Sequence, residues 1–352
     1  PRITATAHVA SYTWLARPVP SIVVPGEPAR WTPLPSPQRV PPDRGEYLRD
    51  PNAARSPAHP WDASCHAVHR QHPHFDPHGV DVAACSSVLG HLSRFVRGVE
   101  RDFRFVMDRV GRTVFFIRRE NSPTELIPDV RGYGHNFVDA YTAWGPGLAD
   151  SASHQRLIRY DFGGRHYLVR FESDGFIAEE PAEDSRTVES DTSLADVAAT
   201  LNIGPSGQMP ATTGDLHVED GGRPVAHGAV MDIKTRSMLD FKTREIKKEI
   251  NMTDLTPLLW VSQIPTLAVA YHRQGTFEDV QVQDMRDTLA QWERDNETSL
   301  RKLISLINEL VSYVQTATTS LEVCRQGNGP LEVRRVGGDG PTALSPACQA
   351  MW

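Results

Sequence analysis

Apolar positions along the chain fall into stretches of different period, and the period predicts the elements. Residues 103 to 110 and 113 to 118 are two β-rich apolar runs flanking Gly111, the pattern of a hairpin. A second hairpin is expected from residues 266 to 271 and 277 to 282, turning at Gln274-Gly275, and residues 229 to 233 read as a buried strand. From about 284 to 322, Leu300, Leu303, Ile304, Ile307, Leu310, Val311 and Val314 recur at spacings of three and four. That stripe predicts one long helix packed on the core.

Other stretches lack a period. Thirteen of the 27 prolines lie in residues 1 to 60, and proline's fixed φ and missing N–H suit neither helix interiors nor central strands. Residues 1–62 therefore read as an extended arm wrapping the outside, with residues 21–24 as an edge strand. Between Ala178 and Asp196 there are seven acids and one arginine, Arg186, followed by a Gly-, Thr- and Pro-rich run. An acidic, mobile insertion is expected at about 178–227. Residues 326–352 read as a flexible tail, which leaves 63–325 as one domain around the insertion.

Composition narrows the function classes. No run of about 18 apolar residues is present, so no transmembrane helix is expected. A net charge of -7 argues against holding nucleic acid by a bulk positive field. Charge is uneven, however: residues 94–131 carry nine arginines against six acids, and residues 234–248 carry six Lys/Arg against two acids. Basic surface could therefore flank a site. Four cysteines without Cys-x-x-Cys spacing point to no disulfide and, with no basic-then-apolar leader, to an intracellular location, nucleus or cytoplasm. His66, His69, His72, His74 and His78 crowd near Cys65, a group that could ligate a borderline metal but lacks strict ligand spacing and reads first as polar helix and loop.

Two strand motifs carry the chemistry. In Tyr167-Leu-Val-Arg-Phe-Glu-Ser-Asp174, the period of two puts Arg170 and Glu172 on one face, with Asp174 continuing it. In Val230-Met-Asp-Ile-Lys-Thr235, Asp232 and Lys234 share a face while Ile233 points into the core. Three converging carboxylates repel one another unless neutralised, and hard divalent cations such as Mg²⁺ or Mn²⁺ take such oxygen ligands.

The Asp, then Asp-x-Lys, arrangement resembles the PD-(D/E)XK nuclease superfamily. Glu172-x-Asp174, Asp232-Ile-Lys-Thr235 and Leu258-Leu-Trp-Val-Ser-Gln-Ile-Pro265 look like successive motifs of the decapping and exoribonuclease (DXO) family over about residues 90 to 320. Arg131-Gly-Tyr-Gly-His-Asn-Phe-Val-Asp-Ala-Tyr-Thr142 and Arg159-Tyr-Asp-Phe-Gly-Gly164 look like its fungal branch. An isoprenyl diphosphate synthase, a label such fungal proteins sometimes carry, needs Asp-rich motifs, and the chain has no Asp-Asp pair.

The resemblance implies an α+β fold, a mixed central β-sheet flanked by helices. It makes Glu172, Asp174, Asp232 and the Ile233 carbonyl ligands of Mg²⁺ or Mn²⁺, with two ions expected. Lys234 would be the catalytic lysine, working with Asp232 and Glu172, and Gln263 would orient water or phosphate. Arg131, Asp139 and Arg170 would face substrate. The implied activity is processing of RNA 5′ ends, as a pyrophosphohydrolase, decapping enzyme or 5′-3′ exoribonuclease, with a 5′-3′ exoribonuclease as a possible protein partner. One position departs from the pattern. Where the family has Gly-x-x-Phe-Glu, Phe137 is followed here by Val138, with Asp139 one place later; a one-residue slip on a helix turns a side chain by about 100°. A pseudoenzyme that binds RNA ends or a protein is therefore the alternative, and a RecB-like DNA exonuclease is a further one.

Overall fold

The strands build two mixed sheets, and the chain passes between them several times. The structure, a computed structural model, describes residues 1–128, 130–178, 216–239, 250–337 and 340–352. The larger sheet contains β1 (Thr4–Leu15), β2 (Ser21–Gly26), β5 (Val82–Cys85), β6 (Phe103–Val110), β7 (Thr113–Arg118), β9 (Ser151–Phe162), β10 (Arg165–Ser173), β12 (His217–Gly222), β16 (Leu321–Arg325) and β17 (Glu332–Arg335). Their order is β12-β2-β1-β9-β10-β5-β7-β6-β16-β17. The smaller sheet contains β3 (Arg30–Trp31), β4 (Gln38–Arg39), β8 (Thr142–Ala143), β11 (Gly175–Phe176), β13 (Val230–Ser237), β14 (Thr266–Arg273) and β15 (Thr276–Asp284). It is ordered β4-β15-β14-β13-β11-β3-β8.

Helices cover both faces of the larger sheet, which is the expected α+β architecture with two sheets in place of one. On one face α3 (Ser86–Val96), α5 (Met252–Ser262), α6 (Arg286–Asp295) and α7 (Glu297–Thr316) bury Leu92, Leu259, Leu289 and Leu303 against Val169 and Phe171 of β10. On the other, α2 (Asp62–Gln71) and α8 (Pro346–Met351) bury Val68 and Cys348 against Leu168. Successive residues of β10 thus feed opposite cores, as a strand's period requires.

Both hairpins form where expected. β6 and β7 turn at Gly111 (φ +58°), and β14 and β15 turn at Gln274 (φ +50°) and Gly275 (φ +90°), the left-handed backbone that two-residue hairpin turns need. The β9–β10 hairpin turns at Gly163 and Gly164; a Cβ on Gly163 would lie 2.5 Å from Ile304 Cγ1, so that turn packs directly on α7.

Other expectations are corrected. The N-terminal arm is core: β1 pairs with β9 along its length, and Ala10, Tyr12 and Trp14 are fully buried. No proline falls within Thr4–Leu15; the prolines lie mostly between strands, so composition misrepresented that segment. β2 is not an edge strand, since β12 pairs outside it. The expected long helix is two helices broken at Asn296 (φ −105°, ψ 18°), and it stops at Thr316, where Thr318, Thr319 and Ser320 lead into β16. The stripe itself is buried, apart from half-buried Ile304. The tail is ordered: β17 pairs with β16, and the Ala343 N–H donates to Asp108 Oδ2 at 2.7 Å beside buried Leu344. Most of the acidic insertion, residues 179–215, lies outside the described residues. No helix among the described residues is long and apolar enough to cross a membrane.

Candidate active site

β10 ends at Ser173, and Asp174 alone separates it from β11, so one stretch of chain leaves the larger sheet and enters the smaller. β11 pairs antiparallel with β13, Gly175 opposite Met231, which brings Asp174 alongside Asp232. Lys234 Nζ joins the group by donating to Asp232 Oδ1 at 2.7 Å, Asp174 Oδ2 at 3.4 Å and the Ile233 carbonyl at 3.1 Å. The Ile233 N–H donates to Asp174 Oδ2 at 2.8 Å, while its side chain is buried with Phe137, Met231 and Phe277. The geometry places Asp174, Asp232, the Ile233 backbone and Lys234 together; the period of two accounts for Asp232 and Lys234, and the β11–β13 pairing for Asp174.

Glu172 is held from a different direction. Gln155, opposite it in the β9–β10 register, donates from Nε2 to Glu172 Oε2 at 3.0 Å. Gln155 Oε1 in turn accepts from Asn52 Nδ2 at 3.4 Å, and Asn52 Oδ1 accepts from the Tyr12 hydroxyl at 2.9 Å and Trp14 Nε1 at 2.8 Å. Asn52 lies in α1 (Pro51–Arg55), whose first turn is capped by Asp50, with Arg55 lying over the Trp14 ring at 5.3 Å. Sequence reasoning missed Gln155, Asn52 and Arg55. The Gly163-Gly164 turn was the available signal, because counting outward from a two-residue turn pairs Gln155 with Glu172.

Charge is in surplus here. Dense surroundings, then the neighbouring Asp174, push Glu172 up to about 7, against the Gln155 hydrogen bond and the Arg55 charge, which favour the anion. The Glu172 side chain is exposed, so water screens part of that penalty. Asp174 and Asp232 titrate as a pair. Burial raises both; the Lys234 ammonium and the Ile233 N–H nevertheless hold Asp174 below the usual range, and the second ionisation, at Asp232, is pushed up to about 7. Burial opposes the Lys234 charge, but the two aspartates outweigh it and raise its pKa.

Gln263 and Arg170 are committed elsewhere. Gln263 caps α5 in a left-handed conformation (φ +51°), and its amide donates to the Trp260 carbonyl at 2.5 Å, so it turns back onto its own helix. Arg170 is 3% exposed: Nη1 donates to the Pro60 carbonyl at 2.6 Å and the guanidinium lies over Trp61 at 4.6 Å. It shares a face with Glu172 but sits deeper under α2, which makes it a structural clamp and corrects the expectation of a substrate contact. Arg131 is exposed in the loop before α4 (Gly134–Tyr141). On α4, Val138 packs against the apolar cluster of Ile233 and Phe277, while Asp139 is exposed and raised by desolvation, with His135 opposing and Asp43 adding to the shift. The histidine-rich segment forms α2 and the loop after it, and His72 Nε2 pairs with the Val9 carbonyl at 2.7 Å. Among the described residues, no three His, Cys, Asp or Glu side chains are disposed as they stand to close around a cation; at the carboxylates, the Lys234 ammonium takes the central position.

The two-sheet α+β fold, with a cluster of carboxylates and a lysine where the sheets join, is similar to that of solved fungal Rai1 structures of the decapping and exoribonuclease family. Rai1 from S. pombe shares the fold with a TM-score of 0.58 at 11% identity, covering 96% of this chain and 95% of that one. Scheffersomyces stipitis Rai1 in complex with (3′-NADP)⁺ and calcium ion gives 0.61 at 10% identity, covering 99% and 95%. Candida albicans Rai1 in complex with pU5-Mn²⁺ gives 0.57 at 9% identity, covering 98% and 95%. In sequence, the chain belongs to a family described as a domain of unknown function (DUF8563), which matches residues 3–324. No curated protein matches it in sequence.

Proposed function

We propose that the chain is a metal-dependent hydrolase of RNA 5′ ends, acting as a pyrophosphohydrolase, decapping enzyme or 5′-3′ exoribonuclease. The observation that carries the reading is the convergence of Asp174, Asp232 and Lys234 where the two sheets join, with Glu172 two residues before Asp174 on the same stretch. The fold is that of Rai1 proteins, one bound to pU5-Mn²⁺ and another to calcium.

The donor set fits a hard divalent cation. Its ligands are oxygens, and the two carboxylates pushed up to about 7 carry negative charge that the protein does not neutralise. Glu172, Asp174, Asp232 and the Ile233 carbonyl would hold Mg²⁺ or Mn²⁺, as one or two ions. When bound, the metal polarises a phosphoryl oxygen and makes water more acidic. The chain's own residues do the rest. Gln155 fixes the orientation of Glu172, and Lys234 offsets the negative charge that gathers on the phosphoryl group as water adds and the P–O bond breaks. A nuclear or cytoplasmic location and a 5′-3′ exoribonuclease partner accord with this reading.

A second reading, a pseudoenzyme that binds RNA ends or a protein, is favoured by Val138, which packs apolar surface where the family pattern has an acid. Incubation with 5′-triphosphorylated and capped RNA in Mg²⁺ or Mn²⁺ separates the two: turnover abolished by Asp232→Ala is expected. Turnover no greater than that of Asp232→Ala in either metal overturns catalysis, and preference for single-stranded DNA over RNA shifts the reading to a RecB-like exonuclease.

A further inference from the structure

Behind β10, on the face of the larger sheet opposite Glu172, lies a cluster of buried polar groups that the proposed reaction does not use. β9 alternates like any strand: Gln155 faces Glu172, and its neighbours His154 and Arg156 turn to the other side, where Phe171 stands opposite Arg156 in register. Arg156 is fully buried. Its Nη2 donates to the Val225 carbonyl at 2.8 Å, but Nε and Nη1 have no partner among the described residues.

Three imidazoles surround it. His154, 1% exposed, pairs through Nδ1 with Thr13 Oγ1 at 2.9 Å and leaves Nε2 unpartnered. His8 lies opposite Ile158, two residues along β9 from Arg156 on the same face; it engages the Ala10 backbone, and its Nε2 is unpartnered. His227 packs edge-on against Phe171 at 6.0 Å and pairs through Nε2 with the Gln263 carbonyl at 2.8 Å, leaving Nδ1 unpartnered. Burial, then the Arg156 charge, depresses all three imidazoles, His8 to about 3 and His227 to about 4.

A buried guanidinium without a counter-charge is costly. Burial depresses Arg156 to about 10; among the described residues, no carboxylate acts on it. We propose that Arg156 Nε and Nη1, with His154 Nε2, bind a small inorganic anion, a halide or a phosphate-like oxyanion. His8 and His227 give their single ring protons to the backbone, and join the site by taking up a proton with the anion. The anion joins β1, β9 and the turn His227–Ala229, which leads straight into the strand that carries Asp232 and Lys234.

The test is thermal unfolding of the full chain titrated with sodium bromide or sodium phosphate at matched ionic strength, beside Arg156→Met. The unaltered chain should gain about a few degrees, saturating with one of the two anions, while Arg156→Met shows no saturable gain. Identical responses in the two proteins overturn the proposal. Because Arg156→Met can fail to fold, crystals of the unaltered chain soaked in bromide and in phosphate provide a second measurement: anomalous or tetrahedral density at Arg156 Nε and Nη1 supports the site, and water alone there overturns it. RNA turnover is a separate readout, so loss of either proposal leaves the other standing.

Discussion

The two halves of the carboxylate site are built by different means. Asp232 and Lys234 are two residues apart on one strand, and their geometry is local: the ammonium reaches the carboxylate at 2.7 Å and the intervening carbonyl at 3.1 Å. Glu172 depends on a relay, Gln155 to Asn52 to Tyr12 and Trp14, that crosses more than a hundred residues of sequence. Both halves reach the same electrostatic state, an acid pushed up to about 7. In both, burial and the Asp174 charge do the raising; what differs is the positioning, from a strand neighbour in one half and from tertiary structure in the other, so substitutions should affect them differently.

The largest effect is expected at the local half. Lys234→Ala should lower turnover by roughly 10³-fold, the scale of removing a group that offsets transition-state charge. Binding of Mn²⁺ should persist or tighten, because the ammonium no longer competes for Asp174 and Asp232. Single-turnover rates beside Mn²⁺ titrations check this; equal losses in both would show that Lys234 merely holds the strand together.

A smaller effect of the opposite kind is expected at the relay. Gln155→Leu removes the hydrogen bond that orients Glu172 and should weaken Mn²⁺ binding by about 10–100-fold, the usual cost of losing a residue that positions a metal ligand. At saturating metal much of the turnover should return. If turnover stays low there, Gln155 acts on substrate directly and the contrast between the halves fails.

What was legible in the sequence follows the same division. Asp232, Ile233 and Lys234 could be read because a strand's period fixes neighbours two apart, and both hairpins could be read because Gly111 and Gln274-Gly275 supply positive φ between apolar runs. Glu172 and Asp174 were legible as a pair, but their surroundings were not. The relay partners lie on β1 and α1, in a segment whose prolines suggested an outer arm, although none interrupts Thr4–Leu15. Arg170 was misread for a related reason: the period gave its face correctly, yet its depth beneath Trp61 and Pro60 depends on where α2 packs. The break at Asn296 left no mark on the apolar stripe, which begins after it.

The smallest effect sharpens the point on which the halves agree. Without divalent cation, Glu172 ionises near its ordinary value of 4.5 in the unfolded chain but at about 7 in the folded one. Between those values the folded state binds more protons, so this group's contribution to stability falls as pH rises through the window and is level above it. Asp232 acts with the same sign from its ordinary 3.8 to about 7. Asp174, held below 3.8, and Lys234, raised above 10.5, change outside that window. Half-buried His8 and His227, depressed to about 3 and about 4, have the opposite sign, since the unfolded chain takes up protons below 6.5 that they refuse. The raw slope therefore mixes both, and the difference between the unaltered chain and Glu172→Gln isolates the carboxylate. In EDTA the variant should unfold about a degree or two higher at pH 8 and at nearly the same temperature at pH 4.5. In Mn²⁺ at pH 8 the order should reverse, because the cation binds the ionised site and the variant has lost a ligand. A variant no more stable than the unaltered chain at pH 8 in EDTA would mean that the relay and Arg55 already neutralise Glu172, leaving surplus negative charge only at Asp174 and Asp232.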